Sequence, residues 1–357
     1  MRISAAFNMK MKIVAIPYNR ANLNNILNLA YSFAMAVHRK NLNTELTTGF
    51  GEKSTQSGGR YYRKDGKPNI IRKGIKIFDQ LSWYHTIISM PRWKFWLWVM
   101  IPYILVNAVF ALIYYSIGVE HFNGIVKGSA WHNYIESFFF SFQTFTTVGY
   151  GHVSPAGTLS SSVAAFESFL GVLTLALAAG LFYGRFSRPR SFLRFSEIAV
   201  IAPYKDGRAL MFRTAPYKNN HLMDAEVKLT MGMRVLRNGE EKNEFYTLNV
   251  EFNKINTLVL NWTIVHPINE NSPIYGMSMK ELKEARAEVL VYLKAYDEGF
   301  ANTVIARTSY TTDEMIEGAK FKLMYERSES GDATILHIDK LNDYEKVKLP
   351  ELKPVES

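Results

Sequence analysis

Thr146-Thr147-Val148-Gly149-Tyr150-Gly151 is the stretch of this 357-residue sequence whose residue types and order suit a defined chemistry. An ion sheds its water only where other oxygens replace it. The carbonyls of Thr147, Val148, Gly149 and Tyr150, with the Thr147 hydroxyl, are suited to do this for K⁺. Gly149 and Gly151 open backbone conformations closed to residues with a Cβ, which turns carbonyls inward. Tyr150 is expected to pack outward and hold the ring at its diameter. One strand supplies one wall, so four chains are required and a homotetramer is expected. A bare Gly-Tyr-Gly means little. Thr47-Thr48-Gly49-Phe50-Gly51 has similar letters, no apolar spans around it, and reads as flexible loop.

Such a strand needs helices to hold it. Trp131 to Gln143 is aromatic and helix-compatible but too short to cross a bilayer, which predicts a re-entrant pore helix ending at the filter. Phe95 to Ile117 is long, apolar and uncharged, with Trp93, Trp96 and Trp98 at one end and Tyr114 and Tyr115 at the other as aromatic belts. Leu159 to Gly184 is the second span, with Glu167 its only charge. Glu167 reads either as a buried carboxylate bonded behind the filter or as a pore-facing ion site. Gly171 and Gly180 are candidate hinges, or points of close helix packing. Phe182, Tyr183 and Phe186 suit a hydrophobic gate at the cytoplasmic end.

Basic residues set the orientation. The loop from Gly118 to Gly157 carries only Lys127, whereas Arg60 to Lys94 carries nine, and Arg185, Arg188, Arg190 and Arg194 follow the second span. Both termini are therefore expected in the cytoplasm. Arg185, Arg188 and Arg190 are either a topological cluster or a site for anionic phospholipid headgroups. Phe78 to Met90 has near-helical apolar spacing, with Asp79 in its first turn, and predicts an interfacial slide helix. From about Phe195 onward, short alternating segments separated by turns predict a β-sandwich. The candidate strands are Glu197–Ala202, Ala209–Arg213, Asp224–Met231, Phe245–Val250, Leu258–Val265, Glu288–Tyr296, Asn302–Thr308, Lys320–Tyr325 and Thr334–Ile338, with one helix over Met279–Arg286. Asn69–Arg72 is a further candidate strand.

The expected fold is thus a membrane α-helical pore module, two transmembrane helices plus a re-entrant pore helix, followed by an all-β cytoplasmic sandwich. The segments are 1–34, an N-terminal extension whose status is open because Met35 is an alternative start; 35–77, a cytoplasmic arm; and 78–92, the slide helix. The pore domain follows at 93–187, the sandwich at 188–345 and a tail at 346–357.

Composition bounds the function. The net charge of +10 has no nucleic-acid motif to accompany it, and the basic residues gather beside the spans. With no cysteine, disulfides, Cys-based zinc sites and thiol catalysis are excluded. No Gly-x-Ser-x-Gly, His-Glu-x-x-His or Walker motif is present, which argues against an enzyme, and no cofactor is expected beyond K⁺ as the permeant ion. Two rival readings stand beside a channel of this kind: a two-span channel regulated by another cytoplasmic ligand, and a non-conducting membrane-anchored β-sandwich receptor. No strand, Gly-x-Gly-x-x-Gly, helix pattern follows Arg190 to support a nucleotide-binding version of the first, and the second leaves the filter unexplained.

The sequence resembles the inward-rectifier potassium channel family, especially its prokaryotic (KirBac-like) branch, from about Asn41 to Tyr325. Besides the filter, the likeness rests on Gly59-Arg60 with Lys64-Asp65-Gly66, on Asn107 to Leu112, and on Gly184-Arg185-Phe186-Ser187-Arg188-Pro189-Arg190. It continues through His221 to Ala225, Leu260 to Ile268, Ser272 to Gly276 and Ala306-Arg307-Thr308-Ser309-Tyr310. The resemblance implies an immunoglobulin-like cytoplasmic domain, a bundle-crossing gate at Tyr183, lipid contacts at Arg185, Arg188 and Arg190, and a cytoplasmic pore lined by Asp224 and Glu298. It also implies departures. Leu175 stands where strong rectifiers carry an acid, Gln143 and Val153 stand where many eukaryotic members carry an ion pair behind the filter, and the extracellular cysteines are absent. Weak rectification and a bacterial inner (plasma) membrane are the resulting expectations.

Overall fold

The computed structural model describes residue 44 and residues 59–74, 82–237 and 240–351. The Gly-Phe-Gly loop at 47–51 and the start of the expected slide helix, Asp79 included, lie outside the described residues. Contacts divide the chain into two units, 71–190 and the remainder.

The first unit is helical. Helix α1 spans Trp83–Ser89, α2 Arg92–Ile117, α3 Ala130–Phe145 and α4 Thr158–Phe186. The two long helices are long and apolar enough to cross a membrane. Leu97, Ile101, Leu105, Val109 and Leu112 of α2 are exposed in the chain, as on a helix whose solvent is lipid. Pro102 sits inside α2 without ending it. Ser129 caps α3, accepting from the His132 amide at 3.3 Å. A two-stranded ribbon, β1 (Phe122–Asn123) and β2 (Ser154–Pro155), closes the loops on either side of the filter. Below it Tyr114, Phe122 and Phe140 pack edge to face, their centroids 5.0 to 5.4 Å apart. Each such pair is worth about 0.5–1.5 kcal/mol beyond the area it buries.

The second unit is a sandwich of two five-stranded sheets. One holds β6 (Leu222–Arg237), β7 (Glu240–Leu248), β8 (Lys254–Leu258), β10 (Glu288–Asp297) and β11 (Asn302–Thr311) in the order β11-β10-β6-β7, with β8 also on β6. The other holds β3 (Leu193–Phe195), β4 (Ala199–Tyr204), β5 (Gly207–Pro216), β9 (Trp262–Ile268) and β12 (Met315–Glu317), the last parallel to β4. Alternation is clearest in β9, where Trp262, Ile264, His266 and Ile268 point inward. Trp262, Ile264 and Ile268 meet Leu210, Phe212, Val227, Leu229, Val291 and Tyr310 in one core. Helix α5 (Met279–Glu284) opens with a capping box between Ser278 and Glu281.

Three expectations need correction. Leu258–Val265 is not one strand: β8 ends at Leu258 and β9 begins at Trp262, because the chain turns at 259–261. Lys320–Tyr325 also splits. Its first part lies in β13 (Ala319–Phe321), which pairs with β16 (Tyr344–Lys346), and its end opens β14 (Tyr325–Arg327), which pairs with β15 (Thr334–Leu336). Asn69–Arg72 forms no strand, and the Asn69 amide donates to the Tyr61 carbonyl at 2.9 Å.

What the arm does instead is latch. Arg60 grips Glu314 with two hydrogen bonds of 2.9 Å and reaches the Ser309 carbonyl at 2.5 Å. Glu288, almost fully buried, accepts the Tyr61 amide at 2.8 Å. Lys64 lies 3.2 Å from Glu314 and 4.0 Å over the Tyr310 ring. Gly66 is required here: its φ is +76°, and a Cβ would stand 2.3 Å from the Arg307 carbonyl oxygen. Burial alone would raise the Glu314 carboxyl, but the Arg60 hydrogen bonds, the Thr311 amide and the Lys64 charge outweigh it and hold it below its usual range. A depressed carboxylate stabilises the native form above its unfolded pKa and loses that contribution as pH falls through its folded value. Arg60→Ala removes a charge-assisted pair worth about 1–3 kcal/mol. Exchange of the Tyr61 and Tyr62 amides should therefore speed by about tenfold or more at neutral pH. The difference from wild type should shrink as acid protonates Glu314; hydrogen exchange followed by mass spectrometry reads both.

Candidate functional site

Helix α3 ends where the expected filter, Thr146–Gly151, begins. Its last turn tightens at Thr146, whose hydroxyl donates to the Phe142 carbonyl at 2.8 Å. The Val148 and Gly149 amides then both fold back on the Gln143 carbonyl, at 3.0 and 3.4 Å. Thr147, Gly149 and Gly151 have φ of 61°, 52° and 81°, so the left-handed region recurs at every second residue. For Thr147, β-branched, that conformation costs about 1–3 kcal/mol, and the Gln143 and Thr144 carbonyls are what hold it. No atom stands within 4 Å of a Cβ built on Gly149 or Gly151. The backbone angle, not lack of room, asks for glycine there. Val148 is 53% and Tyr150 80% exposed, and Tyr150 has no ring partner among the described residues. Both side chains therefore lie open in the single chain.

Glu167 ties together the helices beside Thr146–Gly151. Fully buried on α4, it accepts hydrogen bonds from the Tyr114 hydroxyl of α2 and from the Ser141 hydroxyl of α3, the latter at 2.5 Å. Ser141 also lies 3.2 Å from Asn107 Oδ1, and Asn107 donates to the Tyr103 carbonyl at 2.8 Å. Of the two readings open in the sequence, the geometry is that of the buried, bonded carboxylate. Tyr114 is accordingly no belt residue: its ring is completely buried and its hydroxyl is spent on Glu167. Sequence reading missed this partner, although Asn107 and Tyr114 lie two turns apart, on the same face of α2.

Gly171 packs against the end of α3. A Cβ there would stand 1.9 Å from the Phe145 carbonyl oxygen, while one on Gly180 would meet nothing within 4 Å. At the far end of α4, Phe182 packs on Phe95 and Trp96, with centroids 5.2 and 5.4 Å away, and stacks on Phe186. Tyr183, 75% exposed, points elsewhere and has no ring partner among the described residues. Arg185 donates to the Ile88 carbonyl at 3.1 Å, at the end of α1, and its guanidinium lies 4.6 Å over the Phe95 ring. Arg188 reaches the Ser89 hydroxyl at 2.5 Å. Arg188 and Arg190 are exposed, and neither meets a carboxylate among the described residues. Leu175 is 68% exposed on α4.

In the sandwich, Asp224 sits on β6 at φ 49°, where the β6–β10 register shifts, and pairs with Lys254 at 2.9 Å. Glu298 is exposed in the turn after β10, its amide on the His221 carbonyl at 3.1 Å.

Comparison with known proteins converges on one family. A model described as the inward rectifier potassium channel C-terminal domain matches residues 193–356, and one described as ion channel matches residues 103–188. Inward rectifier potassium channel Kirbac3.1 of Paramagnetospirillum magnetotacticum is 32% identical over 267 residues, 73% of this chain and 88% of its own length. G protein-activated inward rectifier potassium channel 2 from Pongo abelii and from Homo sapiens is 27% identical over 293 residues, 73% of this chain and 67% of theirs. A solved structure of Spo0M, sporulation control protein, from Bacillus subtilis matches 36% of this chain and 50% of its own at 10% identity and a TM-score of 0.21, too loose a likeness to bear on the fold.

The two glycines of α4 give a contrast to measure. Gly171→Ala forces α4 off α3 and should cost about 1–3 kcal/mol or more, lowering the melting temperature in detergent. Gly180→Ala meets no atom of the chain and should melt at or slightly above wild type.

Proposed function

Since the chain belongs to the inward-rectifier potassium channel family, we propose that four copies surround one pore and conduct K⁺ across a bacterial inner membrane, with both termini in the cytoplasm. The observation that carries this reading is the Thr146–Gly151 strand, presented by α3 between two membrane helices with its face uncovered in the single chain. In the tetramer, the carbonyls of Thr147, Val148, Gly149 and Tyr150 replace the water of a dehydrated K⁺. The Tyr114–Glu167–Ser141 bonds supply the rigidity that this exchange needs.

Gating belongs to the end of α4. The Tyr183 ring has no ring partner among the described residues, and four such rings close a constriction that dewets. Phe182 braces it against Phe95 and Trp96 of the outer helix, and Phe186 stacks on Phe182. Gly180, free of contacts, is the better bending point, and Gly171 the pivot it bends from. Anionic phospholipid binds at the exposed Arg188, which reaches Ser89 of α1, and at the exposed Arg190, each contributing about 1 kcal/mol near a charged surface. Arg185 is already engaged and positions α1 for them. Rectification is weak because Leu175 puts no charge in the pore.

Liposomes containing the protein should take up K⁺ and Rb⁺, exclude Na⁺ and be blocked by Ba²⁺; equal Na⁺ and K⁺ uptake would sink the reading. Repeating the flux across a series of anionic-lipid contents should show a shifted dose–response in Arg188→Gln/Arg190→Gln, and an unchanged curve would leave those arginines topological. Under symmetric K⁺ with internal Mg²⁺, wild type should pass outward current nearly as well as inward, and Leu175→Asp should steepen the current–voltage curve.

A further inference from the structure

His152 follows directly on the Thr146–Gly151 strand, one peptide bond beyond Gly151. Helix α2 ends at Ile117 and α4 begins at Thr158, so residue 152 belongs to the loop that joins them on one side of the membrane. From Gly118 to Gly157 that loop holds Lys127 and no arginine, which makes its side the outer one.

The backbone at this turn is pinned. Ser154 and Pro155 pair with Asn123 and Phe122, and the Ala156 amide donates to the His121 carbonyl at 2.9 Å. Gly124, at φ +87°, closes on His152 so tightly that a Cβ there would stand 1.8 Å from the His152 carbonyl oxygen. The side chain takes no part in this. His152 is exposed, and no hydrogen bond, ion pair or ring contact engages its imidazole among the described residues. Titratable groups on the surrounding elements are Glu120 and His121 before β1, Lys127 after it, His132 and Glu136 on α3, and Tyr150 in the strand itself. The first turn of α4 carries no acid.

Histidine is the side chain that ordinarily changes charge between about pH 5 and pH 8. Above that range the ring is neutral, and below it each ring is a full positive charge. Four copies around one filter bring four such charges to a single opening, which every ion must pass. Like charges at an opening lower the local concentration of K⁺ and slow its entry. Salt screens an exposed charge beyond about 10 Å at 0.1 M, so a charge one residue from the strand counts for more than one elsewhere on the outer surface.

We infer that His152 is a proton-binding site at the outer end of the filter, through which extracellular acid lowers inward K⁺ current. This rests on the four-copy arrangement proposed above. The sign follows from the charge: current is full where the ring is neutral and falls as protons bind. A carboxylate at the same position acts in the opposite sense and draws K⁺ to the mouth.

The test is unitary K⁺ current in planar bilayers, with pH changed in one chamber at a time and tetramer elution on a sizing column confirming assembly of each variant. Wild-type inward current should fall about fivefold as the outer side goes from about pH 8 to about pH 5. His152→Asn should hold its current over that range, and His152→Asp should carry more inward current than wild type at neutral pH. His121→Asn and His132→Asn should respond to acid as wild type does. If outer acid leaves the wild-type unitary current unchanged, or lowers that of His152→Asn equally, the inference is overturned while the channel reading stands. If neither wild type nor any variant passes K⁺ at any pH, the channel reading fails and the inference falls with it.

Discussion

Backbone oxygens stand in for an ion's water only when something else holds the backbone still. A six-residue strand with left-handed residues at alternate positions cannot hold itself, so the surrounding helices must. The Glu167 carboxylate supplies the tie: placed inside α4, it draws one hydroxyl from α2 and another from α3, joining all three helices at the depth of the filter. Leaving that carboxylate without donors would cost far more than the bonds return, which makes the arrangement a constraint on the three helices as much as a source of stability. The aromatic cluster of Tyr114, Phe122 and Phe140 sits beside it, and Gly171 lets α4 approach the end of α3 closely enough for the carboxylate to reach.

Much of this was legible in the residues. The order of long, short and long helix follows from lengths of apolar sequence alone, because a membrane requires them. The sandwich strands are legible wherever one face is more buried than the other, as in β9, the second half of β10 and the first part of β11. Legibility failed where no period could show a break. Leu258 to Val265 contains one polar side chain before Thr263, Asn261, so the turn there looks like strand. It failed again where a neighbour decides. Nothing in the spacing of Gly171 distinguishes a hinge from a contact point, and only the position of the Phe145 carbonyl does. Tyr114 looked like an interfacial aromatic because it lies near a helix end. Its burial depends on how α2 is rotated against α3, which Asn107 on the same face hints at but does not decide.

The cytoplasmic unit shows the same dependence of charge on partner. Read from the sequence, Asp224 is an acid available to cations; in the structure it is a carboxylate already facing Lys254. Arg185, Arg188 and Arg190 look alike in the sequence, yet Arg185 is spent on the end of α1 and the Phe95 ring, Arg188 is exposed but reaches the Ser89 hydroxyl, and Arg190 is exposed. Composition gave the sign of the local charge. Only geometry separates the charges that hold the protein together from those left to meet something else.

The arm latch also carries a schedule. Arg60 closes on Ser309 and Glu314, residues 249 and 254 positions further along the chain. At ribosomal rates of about 5–20 residues per second, those partners emerge some ten seconds to nearly a minute after the arm. Both apolar helices leave the ribosome in that interval. The arm must therefore wait unlatched through the making of the membrane portion, and the latch becomes one of the last long-range contacts of the nascent subunit to form.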